Sequence, residues 1–509
     1  MQTAIEHFPV LIVAISFFSA ITILAAGWIN KKTSSFICIA TILAQFVASL
    51  FILNHVLTEG PIHYWLGGWK PPWGIEYVVD VLNAYILVIL LFLGLACAIY
   101  SKRSIEHELP HKIVSFYTIY QLLITGLCGV TVTGDIFNMY VFIEIMSLSA
   151  YALIGSRGNI ALKASFTYLV LGSIGACFFL LGIGFLYSVT GSLNMHDLSL
   201  LLPPLYGNKI VKAAFVLFIV GLSIKMAFFP LHTWLPDAHA FAPSEISAML
   251  SGIIIEVCTY AFIRVAFSVF SVNFIRLLPI FDILCWVAGV AIIMGSILAI
   301  TQFNLKRMLA YSSVANMGYI MLAVGLSASA KNYPWCGLTP ALMHILNHAL
   351  MKGCLFLVAG AFIYKADLWD ITDFRGLGKK MPYTCAAFVI AAISIIGVPP
   401  SVGFVSKLYI ILASLEAKKF VFVAILLMSS LLNLVYFWRV IETMYMKREE
   451  GEEHSLTPIS SKDEIPLSML IPVLTLASLC IVMGILWLAE IAIPILNKVN
   501  VMFGLVVIR

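Results

Sequence analysis

The chain has 509 residues, of which 61% are hydrophobic and only 11% charged, with a formal net charge of +5. Soluble domains carry roughly 25% charged residues, so a water-soluble fold is excluded. The small, dispersed charge, with no basic arm or patch, excludes nucleic acid as a partner. What remains is an all-α polytopic protein whose solvent is the lipid bilayer.

A helix needs about 20 apolar residues to cross the hydrocarbon. The first such run, 8–29, follows Glu6 and His7 and precedes Lys31 and Lys32. That charge order suits a retained span better than a cleaved signal peptide. Runs at 34–54, 76–100, 113–130, 132–155, 162–189 and 210–239 follow, with only "TVTGD" parting the fourth from the fifth. Beyond them lie 244–270, 277–300, 307–329, 336–364, 381–417, 420–446 and 466–495, giving about 14 spans. The largest polar insert, "KREEGEEHSLTPISSKDE", reads as a solvated cytoplasmic linker before the last span. Loops on the side of Lys31 and Lys32 hold about 16 basic residues against about 9 on the other, so both termini are expected outside. The ten cysteines show no CxxC and no cluster spacing, and most lie in apolar runs, where cysteine acts as a small hydrophobe.

Charges inside these runs need a reason. Lys225, Arg264, Lys352, Lys407 and Arg439 fall within spans, as do Asp80, Glu144, Glu256 and Glu442. Each costs about 2.5–3.5 kcal/mol near a bilayer centre on insertion scales, unless it is paired or hydrated. Asp, Glu, Lys and His at this depth are what a proton or cation relay requires, because each can hold and release a proton. Helix breakers accompany two of the lysines. Pro230 follows Lys225 in "GLSIKMAFFPLHTWLPDAH", and Pro399 and Pro400 precede Lys407 in "GVPPSVGFVSKLY". Broken apolar segments in the two halves of a chain suggest a repeated fold with a site at each break. The freed backbone groups and a few waters there tolerate a charge. Snorkelling shelters lysines at helix ends, but Lys225 lies too far from one.

Along one helix, His344, His348 and Lys352 fall at i, i+4 and i+8, on a single stripe suited to proton transfer because neutral imidazole both donates and accepts. Packing with satisfied histidines is the plainer alternative. Haem or zinc ligation would need partners on a facing helix, for which His232 is the candidate. Asp80 and Asp237 suit capping or pairing near helix ends, and Arg439 with Glu442 suits a local ion pair. No nucleotide-binding loop or nucleophile elbow occurs, so no catalytic site, metal or cofactor is expected. A stand-alone carrier of an organic solute would gather polar and aromatic groups at one midplane pocket. A purely structural anchor would have no use for so many buried charges.

Five motifs in order carry a resemblance to a known family: "DIFNMYVFIEIMSLSAYALI", "SIKMAFFPLHTWLPDAHAFAPSEISAMLSGI", "NLKRMLAYSSVANMGYI", "MHILNHALMKGCLFLVAG" and "GVPPSVGFVSKLYI". Together they resemble the antiporter-like family, which includes subunits of Mrp-type cation/proton antiporters, proton-pumping subunits of complex I and membrane-bound hydrogenase relatives. Among these the chain looks most like the D-type Mrp subunits. The resemblance implies two inverted five-helix repeats, at 113–270 and 277–446, with broken seventh and twelfth helices. Segment 1–112 would hold helices 1–3, 447–465 a cytoplasmic loop and 466–509 helix 14 and the tail. It also implies a multisubunit complex with other membrane subunits in a bacterial or archaeal cytoplasmic membrane, moving protons and monovalent cations such as Na+. Glu144 and Lys225 match the family's paired groups, Lys407 its terminal lysine and His348 its bridging histidine. Glu256 departs from the lysine many members carry there, and is expected to act as a carboxylate partner of Lys225.

Overall fold

The computed structural model describes residues 5–329, 337–446, 464–488 and 493–505. Among these, twelve helices are long and apolar enough to cross a membrane. The first six are α1 (Phe8–Ile29), α2 (Lys31–Thr58), α3 (Val81–Glu108), α4 (Ile113–Val132), α5 (Ile136–Ile154) and α6 (Ile160–Thr190). The next span is in two pieces, α7 (Lys209–Lys225) and α8 (Leu235–Phe241). Intact helices resume with α9 (Ser244–Val269), α10 (Ile280–Ile300), α11 (Leu305–Leu326) and α12 (Thr339–Ala366). A second broken span, α13 (Pro382–Ile396) and α14 (Val402–Glu416), precedes α15 (Phe420–Tyr445) and α16 (Leu467–Leu488). A short α17 (Ile493–Met502) ends the described chain. Twelve intact and two broken spans match the sequence reading. Residues 447–463 of the polar insert lie outside the described residues.

One boundary differs from expectation. The run beginning at residue 76 is not helical at its start: strand β2 (Glu76–Val79) pairs antiparallel with β1 (Ile62–Trp65), Ile62 facing Val79 and Trp65 facing Glu76. Tyr77, Val78 and Val79 are as apolar as the helix behind them, so hydropathy does not part the two. The true start signal is Asp80. Its carboxylate accepts from the Leu82 and Asn83 amides while the Asn83 side chain accepts from the Asp80 amide, a capping box that begins α3.

Burial sorts the helices. The most apolar window of α9 is buried throughout and those of α11 and α12 are 94% buried, against 28% for α2 and 33% for α15. The inner helices carry Glu256, His344, His348 and Lys352, so the charges lie where protein and not lipid surrounds them. The rim helices turn residues such as Phe18, Phe166 and Leu431 outward. Two features place the interior groups. At Gly175 and Gly221 the backbones of α6 and α7 meet: an added Cβ on Gly221 would lie 2.7 Å from the Gly175 carbonyl oxygen. Small residues allow this approach, and it fixes α7 one turn before Lys225. In α9, π-helical turns at Leu250–Ile254 and Arg264–Val269 bracket Glu256. Such turns are frequent at functional sites.

Candidate functional site

The first break is built around Lys225, the last residue of α7. Its Nζ lies 2.8 Å from Glu144 Oε1 on α5 and donates to Ser147 Oγ at 2.8 Å, one turn along the same helix. Lys225 is 2% exposed and the Glu144 side chain 26%, so the carboxylate reaches the edge of the chain while the ammonium stays inside. Beyond Lys225 the chain runs irregularly through Pro230 to α8. Trp234 Nε1 turns back to donate to the Ile224 carbonyl at 2.9 Å, tying the far side of the break to the last turn of α7. The indole stacks on Tyr168 at 3.6 Å between ring centroids. His232 is buried in the break, stacked on Phe229, and its Nδ1 has no partner. Asp237 of α8 pairs with Arg307 at the start of α11.

The second break holds its lysine differently. Pro399 and Pro400 occupy the turn between α13 and α14, and Lys407 of α14 reaches back to the end of α13. Nζ donates to the carbonyls of Ile395 at 2.7 Å and Ile396 at 3.2 Å, and to Ser430 Oγ at 3.3 Å. It also lies 4.8 Å from the Tyr319 ring centroid. Among the described residues no carboxylate forms an ion pair with Lys407. Its charge rests on the carbonyl end of a helix, where a cation is favoured, and on an aromatic face. Asn347 donates to the Val402 carbonyl at 2.8 Å and accepts from Trp487, steadying the start of α14.

Between the breaks runs the α12 stripe. His344 bridges α11 and α14, with Nε2 3.1 Å from Asn316 Oδ1 and Nδ1 2.9 Å from Ser406 Oγ, beside Lys407. His348 Nδ1 is 2.5 Å from Glu256 Oε1. Lys352 Nζ donates to the Leu309 carbonyl at 2.8 Å. That oxygen also accepts from Ser313, which meets Ser251 in the first π turn of α9. All three stripe residues are fully buried.

Two expectations are corrected. Glu256 does not pair with Lys225; it faces α12 and takes His348, while Glu144 and Ser147 hold the lysine. Helix α9 meets the first break instead through Thr259, which touches Met226 Sδ at 3.8 Å. Arg439 does not pair with Glu442, since its guanidinium donates to the Ile300 and Gln302 carbonyls at the end of α10. Asp80 and Asp237 cap and pair near helix ends, as expected. Asp80 in addition grips Arg264 with two bonds of 2.7 and 2.9 Å.

Sequence reading missed three buried groups near the other end of α9. His239 is wholly buried against Phe356, and neither ring nitrogen has a partner. Lys306, read as a loop residue, is 1% exposed and donates to the Ala242 carbonyl at 2.5 Å. Glu245 accepts from Ser104 at 3.1 Å. The signal for His239 was present in "PDAH", but a histidine beside a proline break looks like a loop residue until the break is seen to lie inside the protein.

This architecture is that of a polytopic membrane protein with two broken spans and a row of buried ionisable groups between them. Residues 133–433 match the transmembrane family described as NADH:quinone oxidoreductase/Mrp antiporter, and the chain belongs to that family. It is 43% identical to NADH-quinone oxidoreductase subunit N of Desulforudis audaxviator over 486 residues, covering 94% of this chain and 96% of that one. Against the D-type subunit of the Bacillus subtilis Na(+)/H(+) antiporter the identity is 32% over 396 residues, 77% of this chain and 78% of that one. Among solved structures it resembles a chain of the membrane-bound sulfane sulfur reductase, an archaeal respiratory membrane complex, with a TM-score of 0.86 and 31% identity over 97% of this chain and 96% of that one.

Proposed function

We propose that this chain is the proton- and cation-translocating subunit of a multisubunit membrane complex, read first as the D-type subunit of an Mrp Na+/H+ antiporter. The observation that carries the reading is the line of ionisable groups from Glu144 and Lys225 to Lys407, with both end lysines at helix breaks. Glu256 with His348, and His344 between Asn316 and Ser406, occupy the interval. A neutral imidazole held between two hydrogen-bonding groups can accept a proton at one nitrogen and release it from the other. Lysines and carboxylates hold protons at either end. A change of charge in the Glu144–Lys225 pair alters what its partner can hold, so that an ion arriving at one break is felt along the line. The residues of the site supply no chemical energy source. It would come from an ion gradient or from redox subunits.

Five spans, α4 through α9 with α7 and α8 counted once, would form the first repeat, and α10 through α15 the second. An odd number of spans starts the second repeat on the opposite face, so the two would be inverted. The excess of basic residues on one face supports termini outside a bacterial or archaeal cytoplasmic membrane. A second reading, a proton-pumping subunit of a complex I-like or related redox assembly, is favoured by the 43% identity to a subunit N.

Removing Glu144 strands the Lys225 charge in a buried site, at a cost of about 3–5 kcal/mol, whereas removing Lys225 leaves a partly exposed Glu144 without its counter-ion. Glu144→Ala and Lys225→Ala are expected to abolish ion-coupled transport in sealed vesicles while the chain still inserts. Near-parental transport in both variants would remove the pair from the mechanism.

A further inference from the structure

Two hollows lie at opposite ends of α3. One, of about 750 Å³, is bounded by Glu108, Arg157, Lys365 and Trp369. The other, of about 280 Å³, is bounded by Glu76, Asp80, His196, Arg264 and Phe503. The 28 residues of α3 separate its ends by about 42 Å, more than the thickness of the hydrocarbon, so the hollows open on opposite faces.

The smaller hollow has a floor built from charge. Arg264 and Asp80 meet fork to fork, and Arg264 Nη2 also donates to Asn83 Oδ1 at 2.5 Å. Asn83 Nδ2 donates to Tyr260 Oη at 3.0 Å, and Tyr260 donates to the Thr131 carbonyl at 2.9 Å. Side-chain hydrogen bonds are therefore continuous from the hollow to Tyr260, which is fully buried. Tyr260 lies four residues from Glu256 on α9, about 6 Å along the helix axis. Glu256 itself keeps one oxygen, Oε2, buried and without a partner. A bidentate pair between two spans, a polar column behind it and an orphaned carboxyl oxygen beyond that column are more than closing a helix end requires. The second π turn of α9 begins at Arg264, so the residue at the floor lies where the backbone ladder is already irregular.

We propose that the smaller hollow is an aqueous vestibule through which protons exchange with Glu256, and that the Asp80–Arg264 pair is its closed floor. The inference deepens the translocation reading and rests on it. It adds to the first half of the chain a route opening on the face of the β-hairpin. Protons and not metal cations are the species assigned, because the column behind the floor, Asn83 and Tyr260, offers too few oxygens to hold a metal cation, whereas a hydroxyl can accept one proton and give up another. The charged and titratable groups facing Asp80 are Arg264 and Tyr260 from α9, His63 and Glu76 from the hairpin, and His196 from the segment after α6.

Cysteine accessibility in sealed native-membrane vesicles tests it. Ser199→Cys lines the hollow, and Thr131→Cys lies behind the floor. A membrane-impermeant anionic thiol reagent, which an unpaired Arg264 does not repel, is applied to each face, with the parent chain as the control for native cysteines. Ser199→Cys is expected to react from the β-hairpin face only. Thr131→Cys is expected to be inert in the parent background and to react at least about tenfold faster with Asp80→Asn, the order expected when a charge-assisted hydrogen bond holding a closed state is lost. Arg264→Lys, which keeps the charge but not the fork, carries the same test if Asp80→Asn does not fold. A Ser199→Cys that never reacts, or a Thr131→Cys indifferent to a folded floor variant, overturns the proposal. Transport by the parent, measured in the same vesicles, separates the two failures. A parent that does not couple ions removes the translocation reading, whereas failed labelling with a coupling parent removes only the vestibule.

Discussion

At the scale of single residues, the two end lysines are chemically unlike, and their substitutions should differ. Lys407 is held by helix-end carbonyls and an aromatic ring, so a cation of either kind can occupy the site. Lys407→Arg keeps the charge but cannot release a proton at working pH. Transport is expected to fall nearly as far as with Lys407→Ala. Full activity in the arginine variant would make Lys407 a fixed countercharge. Glu256 offers a sharper separation, because its Oε1 answers His348 in a fully buried site. Glu256→Ala leaves that imidazole nitrogen unsatisfied, which costs about 1–3 kcal/mol. Glu256→Gln keeps a hydrogen-bonding partner but cannot exchange a proton. The glutamine variant is expected to melt in detergent close to the parent while losing transport, and the alanine variant to lose both. Parental transport by Glu256→Gln would show that no proton passes through position 256.

At the scale of elements, the close approach of α6 and α7 positions the first break. A side chain at Gly221 meets backbone on α6, which cannot rotate away, so the helices must part. Gly221→Val is expected to cost about 1–3 kcal/mol through overpacking and to draw Lys225 off Glu144, lowering both melting temperature and transport. Gly184→Ala on the same α6 meets nothing within 4 Å and is expected to leave both unchanged. The β-hairpin carries a pH dependence of its own. His63 Nδ1 lies 2.8 Å from Glu76 Oε1, while Asn194 donates to Oε2 at 3.0 Å. The hydrogen bond to Glu76 raises the His63 pKa above its ordinary 6.5, against the opposing effect of burial. Burial works to raise Glu76, but the bonds from His63 and Asn194 outweigh it and hold the carboxyl below its ordinary 4.5. The histidine's contribution is complete below pH 6.5 and is lost as pH rises through its elevated value. The carboxylate's is complete above pH 4.5 and is lost as pH falls through its depressed one. The hairpin is therefore held best between these limits. Hydrogen exchange of its amides, corrected for the intrinsic pH effect, should show opening grow as pH rises above 6.5 in the parent. His63→Gln should flatten that rise, and an unchanged slope would exclude the pair as its cause.

At the scale of the whole molecule, the question is which assembly holds the chain. Purification from native membranes in mild detergent is expected to retain further membrane subunits. Small hydrophobic companions would identify the Mrp-type assembly, and iron–sulfur companions a redox-linked one. A chain that purifies alone, and transports alone, would contradict the proposed multisubunit role. The fold itself explains why partners are expected to matter: Glu144 is partly exposed at the edge of the chain, so whatever covers α5 shares a boundary with the first ion pair.

Hydropathy by itself determined the number of spans, because a bilayer forbids unsatisfied backbone and so forces long apolar runs, and proline at 230, 399 and 400 marked both helix breaks within them. Intramembrane charge, being costly, likewise marked Glu144, Lys225 and Lys407 from residue type and position alone. Partner choice was not legible. Whether Glu256 meets Lys225 or His348 depends on the rotation of α9 about its axis, which two π turns alter and no residue spacing reports. The hairpin was hidden because its strand is as apolar as the helix after it. His239, Lys306 and Glu245 were passed over because residues near a helix end look solvated in sequence. Only the packing of neighbouring spans over that end decided that they are buried.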